Sequence, residues 1–199
     1  GRLRWETTGK PVTSRGLNLS SACAPPGHVG TYGLRLVGVG VVVLADGSYF
    51  GTGIGCLGGD AQTPTQHKAG GTAASIVGFT SSDGYTWDYR APVFTAAAFK
   101  TVIGPTEHDV VVRGGDPERL YAVVRADGNG LPCWDVAYHE YQAVASTDKG
   151  LSWTRPESVR GAGCVRPKLL SLDQVTLLSG GRLCTENVTD NFVWVAKKD

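Results

Sequence analysis

Few side chains in this sequence fall into a spacing that does chemistry. Gly53-Ile54-Gly55-Cys56-Leu57-Gly58 matches G-x-G-x-x-G after a strand-like run. The residues that follow it form no helix whose N-terminus could hold a pyrophosphate. His139-Glu140 lacks the second histidine of H-E-x-x-H, and no G-x-S-x-G elbow is present for a Ser–His–Asp hydrolase. His28, His67 and His108 stand singly in polar stretches, where a solvated or hydrogen-bonded role fits better than ligation; His108 adjoins Glu107. Cys23, Cys56, Cys133, Cys164 and Cys184 show no C-x-x-C spacing, so no metal site and no cofactor is expected. Their odd number leaves a thiol free or paired outside the chain. Glu107 heads one strand-like run, Arg125 closes the next, and Asp60 lies in the long polar stretch 56–72. Long loops in compact domains often carry function. The plainer readings are a turn cap for Glu107, a solvated strand end for Arg125, and a turn residue after Gly58-Gly59 for Asp60.

The elements that must position these groups read as short strands. The chain has 199 residues, with 28 glycines, 10 prolines and no methionine. Its many short β-branched runs predict an all-β domain with a sizeable core. Asp46-Gly47 sits between two apolar runs and predicts a tight hairpin. Further strands are expected at Ser75–Thr80, Asp109–Val112, Leu120–Val124, Tyr141–Ala145, Lys168–Leu172, Val175–Ser179 and Phe192–Ala196. A net charge of +1 without a Lys/Arg cluster gives no footprint for nucleic acid. The longest apolar run, Leu36 to Ala45, is too short to span a bilayer and reads as a buried strand. Sequons at Asn18 and Asn187 suit a secreted, extracellular or lumenal protein.

Ser146-Thr147-Asp148-Lys149-Gly150-Leu151-Ser152-Trp153 is the clearest motif. Its Asp can bind backbone amides across a tight turn, its Gly can take positive φ, and its Trp offers a large apolar body to bury. Ser81 to Trp87 repeats it one residue short, and Val195-Ala196-Lys197-Lys198-Asp199 mirrors the run into it. Trp5 with the residues after it resembles the tail of an earlier copy. Asp83, Asp148 and Asp199 thus recur at intervals of about 50 to 65 residues, the length of a propeller blade of roughly four strands. The run matches the Asp-box, or bacterial neuraminidase repeat, and the chain resembles the sialidase superfamily. The resemblance implies about three blades of a six-bladed β-propeller of four-stranded antiparallel sheets. Residues 1–199 would be one partial domain, with boxes at 81–87 and 146–153 and a third cut off at Asp199.

The resemblance also implies chemistry. Sialidases hold the substrate carboxylate with three arginines, polarise a Tyr nucleophile with Glu, and use Asp as acid/base. Guanidinium binds carboxylate bidentately and stays charged, while a neutral phenol avoids the repulsion a carboxylate nucleophile would meet. With a Tyr nucleophile, sialidases depart from the carboxylate pair that most glycosidases use. Pro105–Val112 followed by Arg119–Arg125 is similar to the family segment in which a Glu opens one strand and an Arg closes the next. That carries the tyrosine-polarising role to Glu107 and a carboxylate-binding role to Arg125. Arg182, with Arg166 as competitor, and Arg35 are the other arginine candidates, and Asp60 is the acid/base candidate. Arg35 lacks the Ile-Pro that follows the family's first arginine. The nucleophilic Tyr is expected beyond Asp199, and Tyr121, Tyr138 and Tyr141 read as packing or rim residues. The expected partner is a sialylated or other acidic glycoconjugate, and the isolated chain is expected to be inactive. The alternatives are a non-catalytic Asp-box propeller that binds carbohydrate or a protein, and a propeller enzyme for another acidic sugar.

Overall fold

The computed structural model describes residues 12–17, 40–57, 60, 74–99, 104–114, 116, 118–127, 140–160, 165–172, 175–183 and 188–197. Arg35, the sequons at Asn18 and Asn187, the Trp5 segment, Tyr138, Asp199 and every cysteine but Cys56 lie outside them. Twelve strands are described: β1 (Thr13–Arg15), β2 (Val41–Val43), β3 (Tyr49–Gly55), β4 (Ser75–Ser81), β5 (Thr86–Phe94), β6 (Gly104–Val112), β7 (Leu120–Asp127), β8 (Gln142–Ser146), β9 (Glu157–Ser158), β10 (Val165–Leu172), β11 (Val175–Leu183) and β12 (Val188–Lys197). The described residues are all-β apart from a 3-10 turn, Ala96–Phe99. The strands form three sheets, ordered β1-β5-β4-β3-β2, β6-β7-β8-β9 and β10-β11-β12. Each sheet is a meander of antiparallel neighbours, and among the described strands only β1 pairs in parallel, with β5. The first strand of each meander lies beside that of the next, so β6 is flanked by β2 and β10. These are three consecutive blades of a β-propeller.

Alternation along the strands explains the stacking, because each sheet has two apolar faces to cover. Phe50, Ile76 and Phe94 of the first blade pack on Val110, Leu120, Ala122, Val124 and Val144 of the second. The second blade's other face, with Val123, Tyr141 and Ala143, meets Leu169, Leu178 and Trp194 of the third. Burying one such side chain contributes about 2 kcal/mol. The third blade's far face leaves Leu170, Leu172, Val193 and Val195 exposed.

The Ser–Asp turns at 81–87 and 146–153 both form, between the third and fourth strands of their blades. Ser81 Oγ accepts from Gly84 N at 2.9 Å, and Asp83 Oδ1 accepts from Tyr85 N and Thr86 N, each at 2.8 Å. In the longer box Ser146 Oγ accepts from Gly150 N at 2.9 Å and Asp148 Oδ1 from Ser152 N at 2.9 Å. Burial works to raise the Asp148 pKa, but bonds from the side chain and amide of Ser152, and from Ser146 and Leu151, overcome it and hold the carboxyl at about 2. Lys149 and Gly150 take φ of 57° and 81°. A Cβ at Gly150 would strike the Phe50 ring, against which Trp153 lies at 5.9 Å. Trp87 donates its indole N–H to Gly84 O at 3.0 Å, whereas Trp153 Nε1 meets no acceptor among the described residues.

Candidate functional site

The registers put the candidate residues at the end of the blades away from the boxes. Gly104 pairs with Asp127 and Val165 with Gly181, so the starts of β6 and β10 lie beside the ends of β7 and β11. Gly55 pairs with Ser75, which brings the end of β3 to the start of β4. At the opposite end Lys149 Nζ lies 3.4 Å from both Asp46 and Glu118, joining a box to two hairpin turns. Glu107, Arg125, Arg166, Asp60 and the backbone of Arg182 therefore share one end, the mouth. The side chain of Arg182 lies outside the described part.

Two irregularities in the inner strands make the central contact. The β6–β7 register shifts between Pro105 and His108, and the β10–β11 register shifts between Val165 and Lys168. Bulges of this kind re-aim side chains. Glu107 sits in the first and Arg166 in the second, with Arg166 at φ 47°. Glu107 Oε2 accepts from Arg125 Nη1 at 2.9 Å and from the Arg166 backbone N–H at 2.8 Å. Arg166 Nε stands 3.6 Å from Glu107 Oε1. The side chains of Glu107 and Arg125 are 25% and 24% exposed, and that of Arg166 is 84% exposed, so the group opens to solvent through Arg166. One carboxylate thus faces two guanidinium groups drawn from two blades.

The neighbours of Glu107 on β6 do other work. Asp109 is buried; its Oδ2 accepts from Leu169 N at 2.9 Å and its Oδ1 from Val110 N at 3.1 Å. Burial raises its pKa, against the pull of the Leu169 amide and of Lys168, whose Nζ is 3.8 Å away. Glu107 and Asp109 together cap amides on the free edge of β10. His108 is buried, with Nδ1 2.9 Å from Thr106 O and Nε2 without a partner among the described residues. Desolvation, aided by the charge of Lys168, pushes its pKa down to about 4 despite the Thr106 bond. His108 is therefore a neutral core imidazole, not the polar-loop residue its sequence context implies.

Asp60 is buried as well. It accepts from Leu57 N at 2.8 Å and from Ser75 Oγ at 2.9 and 3.1 Å, and Ser75 Oγ accepts in turn from Ala96 N at 2.9 Å. It ties the end of β3, next to the disulfide-bonded Cys56, to β4 and the 3-10 turn. Among the described residues no hydrogen bond or ion pair joins it to Glu107. The Arg166 amide and Tyr141, whose hydroxyl donates to Val165 O at 2.6 Å, are the site elements that sequence reasoning did not reach. The dipeptide Arg166-Pro167 signals a break in regular pairing, but it does not say which neighbour the freed amide meets. Among the described residues no group of three His, Cys, Asp or Glu is placed to hold a metal ion, and no helix is long and apolar enough to cross a membrane.

The fold is shared with solved glycoside hydrolases. A family 117 glycoside hydrolase from Zobellia galactanivorans matches 91% of this chain and 55% of its own, at TM-score 0.58 and 11% identity. The GH93 α-L-arabinofuranosidase of Fusarium graminearum matches 82% of this chain and 46% of its own, at TM-score 0.51 and 14% identity. An exo-β-1,3-galactanase from Clostridium thermocellum matches 74% and 32%, at TM-score 0.51 and 13% identity. The chain spans about half the length of these proteins or less. No family model and no curated protein matches the chain. What is shared is a glycoside-hydrolase-like β-propeller fold; the solved structures are not specifically sialidases.

Proposed function

We propose that the chain is part of a glycoside hydrolase of the exo-α-sialidase type, releasing a terminal sialic acid from a glycoconjugate. The observation that carries this reading is Glu107, held between Arg125 and Arg166 at the propeller mouth. Two guanidinium groups converging at a partly desolvated site suit a sugar that brings its own carboxylate. In this reading Glu107 polarises a tyrosine phenol supplied by the rest of the protein. Arg125, with Arg182 and Arg35, holds the substrate carboxylate, and Asp60 serves as acid/base. A secreted or lumenal location, with glycans on Asn18 and Asn187, belongs to the same reading.

The test uses the full-length protein and a fluorogenic α-sialoside. Glu107→Gln should lower turnover by about 100-fold or more while free sialic acid still binds, as for removal of a positioned acid–base group. A full-length protein that releases no sialic acid would sink the proposal. The second reading, a non-catalytic carbohydrate-binding propeller, draws on the Glu107–Arg125 ion pair, which already occupies part of the guanidinium fork. It predicts ligand binding without turnover in both the wild type and the variant.

A further inference from the structure

We infer that Tyr141 is a positioning residue for the mouth, whose hydroxyl fixes the β10 bulge that aims the Arg166 amide at Glu107. This rests on the reading of Glu107 as the working carboxylate. Tyr141 belongs to the second blade and its side chain is fully buried. Its hydroxyl donates to Val165 O at 2.6 Å and accepts from Val165 N at 3.1 Å. A neutral phenol is both donor and acceptor, and here it does both toward one residue of the neighbouring blade. That residue immediately precedes Arg166, which stands at φ 47°, a conformation that a side-chain-bearing residue keeps only when its surroundings impose it. The amide so oriented reaches Glu107 Oε2 at 2.8 Å.

The surroundings are cut to fit the hydroxyl. A Cβ at Gly180 would collide with it, so the glycine on β11 leaves the space the phenol enters. The ring meets Trp194 edge-on at 6.2 Å, which sets its depth and direction. Phenylalanine could fill the same volume and make the same ring contact. Only the hydroxyl can hold Val165 by both its backbone groups, so Tyr141→Phe separates positioning from packing.

The experiment measures amide hydrogen exchange at Arg166 by NMR, and the pH profile of turnover, in the full-length protein. Tyr141→Phe should speed exchange at Arg166 at least about tenfold, as loss of a specific local constraint would, and leave the core amides of Val123 and Val144 unchanged. It should lower kcat with little change in KM and shift the acidic limb of the profile. Adding Arg166→Gly to Tyr141→Phe should restore protection of the residue 166 amide, because glycine takes positive φ without help. Unchanged exchange at Arg166, or equal acceleration of every amide, would overturn the inference. Faster exchange at Arg166 in a protein without glycosidase activity would support the positioning role and refute the enzymatic reading separately.

Discussion

Replacing His108 by leucine should remove much of the protein's sensitivity to mild acid. The wild-type imidazole is 1% exposed, and its pKa falls from 6.5 to about 4 on folding, chiefly because burial disfavours the imidazolium. The unfolded chain therefore takes up a proton first as pH falls, and the folded state loses stability between about pH 6.5 and about pH 4. At about 1.4 kcal/mol per pKa unit the full loss is on the order of 3 kcal/mol. Asp109 works in the opposite sense, since its raised pKa gives stability that is lost as pH rises through its folded value. Its contribution is common to both proteins and cancels in the comparison. The variant gives up the Nδ1 bond to Thr106 and also Nε2, which has no partner among the described residues, an offset of about 1 kcal/mol that does not vary with pH. Urea unfolding at several pH values between about 7 and about 4.5 measures the difference. The wild type should lose about 2–3 kcal/mol more than His108→Leu across that range. Parallel curves would refute the assignment of His108 as a buried neutral group.

Gly150→Ala should cost about 2–4 kcal/mol in chemical denaturation, because it adds a clash with Phe50 to an unfavourable positive φ. Asp60→Ala should cost about 1–3 kcal/mol by stranding Ser75 Oγ and the Leu57 amide. Asp60→Asn keeps most of that scaffold, so a large loss of turnover in a stable Asn variant would speak for the acid/base role, and unimpaired turnover against it. Asp148→Asn should remove the acid-induced loss of box stability: with the wild-type carboxyl at about 2, the stabilisation present near neutral pH fades as pH falls from about 4 through about 2. Local exchange protection at Ser152 and Gly150 reports it.

The blades were legible because their signals are local. Asp46-Gly47 makes the β2–β3 hairpin, with Ser48 N donating to Asp46 Oδ1 at 3.0 Å, and both boxes close through the Ser and Asp side chains their spacing offers. Glu107 and Arg125 were singled out in the sequence by the resemblance and by their places in successive strands, but not as partners of each other; the ion pair between them comes from the β6–β7 pairing. Nor was their third partner legible. The amide of Arg166 is 59 residues away and comes from another sheet, through a bulge whose direction is set by packing. Thr86–Phe94 was hidden for a different reason: Pro92 and two register shifts interrupt the alternation that marks a strand. His108 shows the same limit. Strand periodicity fixes which neighbours share a face, but its burial depends on the first blade docking over that face.

The mouth is therefore a product of the interface between blades. β6 and β10 are edge strands of their sheets, and an uncovered edge presents unpaired amides. Glu107 and Asp109 satisfy two of those on β10, at Arg166 and Leu169. The carboxylate proposed to work on substrate is thus also part of the joint that holds the third blade to the second. Removing it by Glu107→Ala would confound chemistry with the loss of that joint, since it takes away the acceptor of the Arg166 amide and an ion-pair partner of Arg125 together. Glu107→Gln keeps an oxygen acceptor for the amide and removes the charge. A loss of turnover in that variant, at unchanged stability, is then attributable to the charge at the mouth and not to slippage between blades.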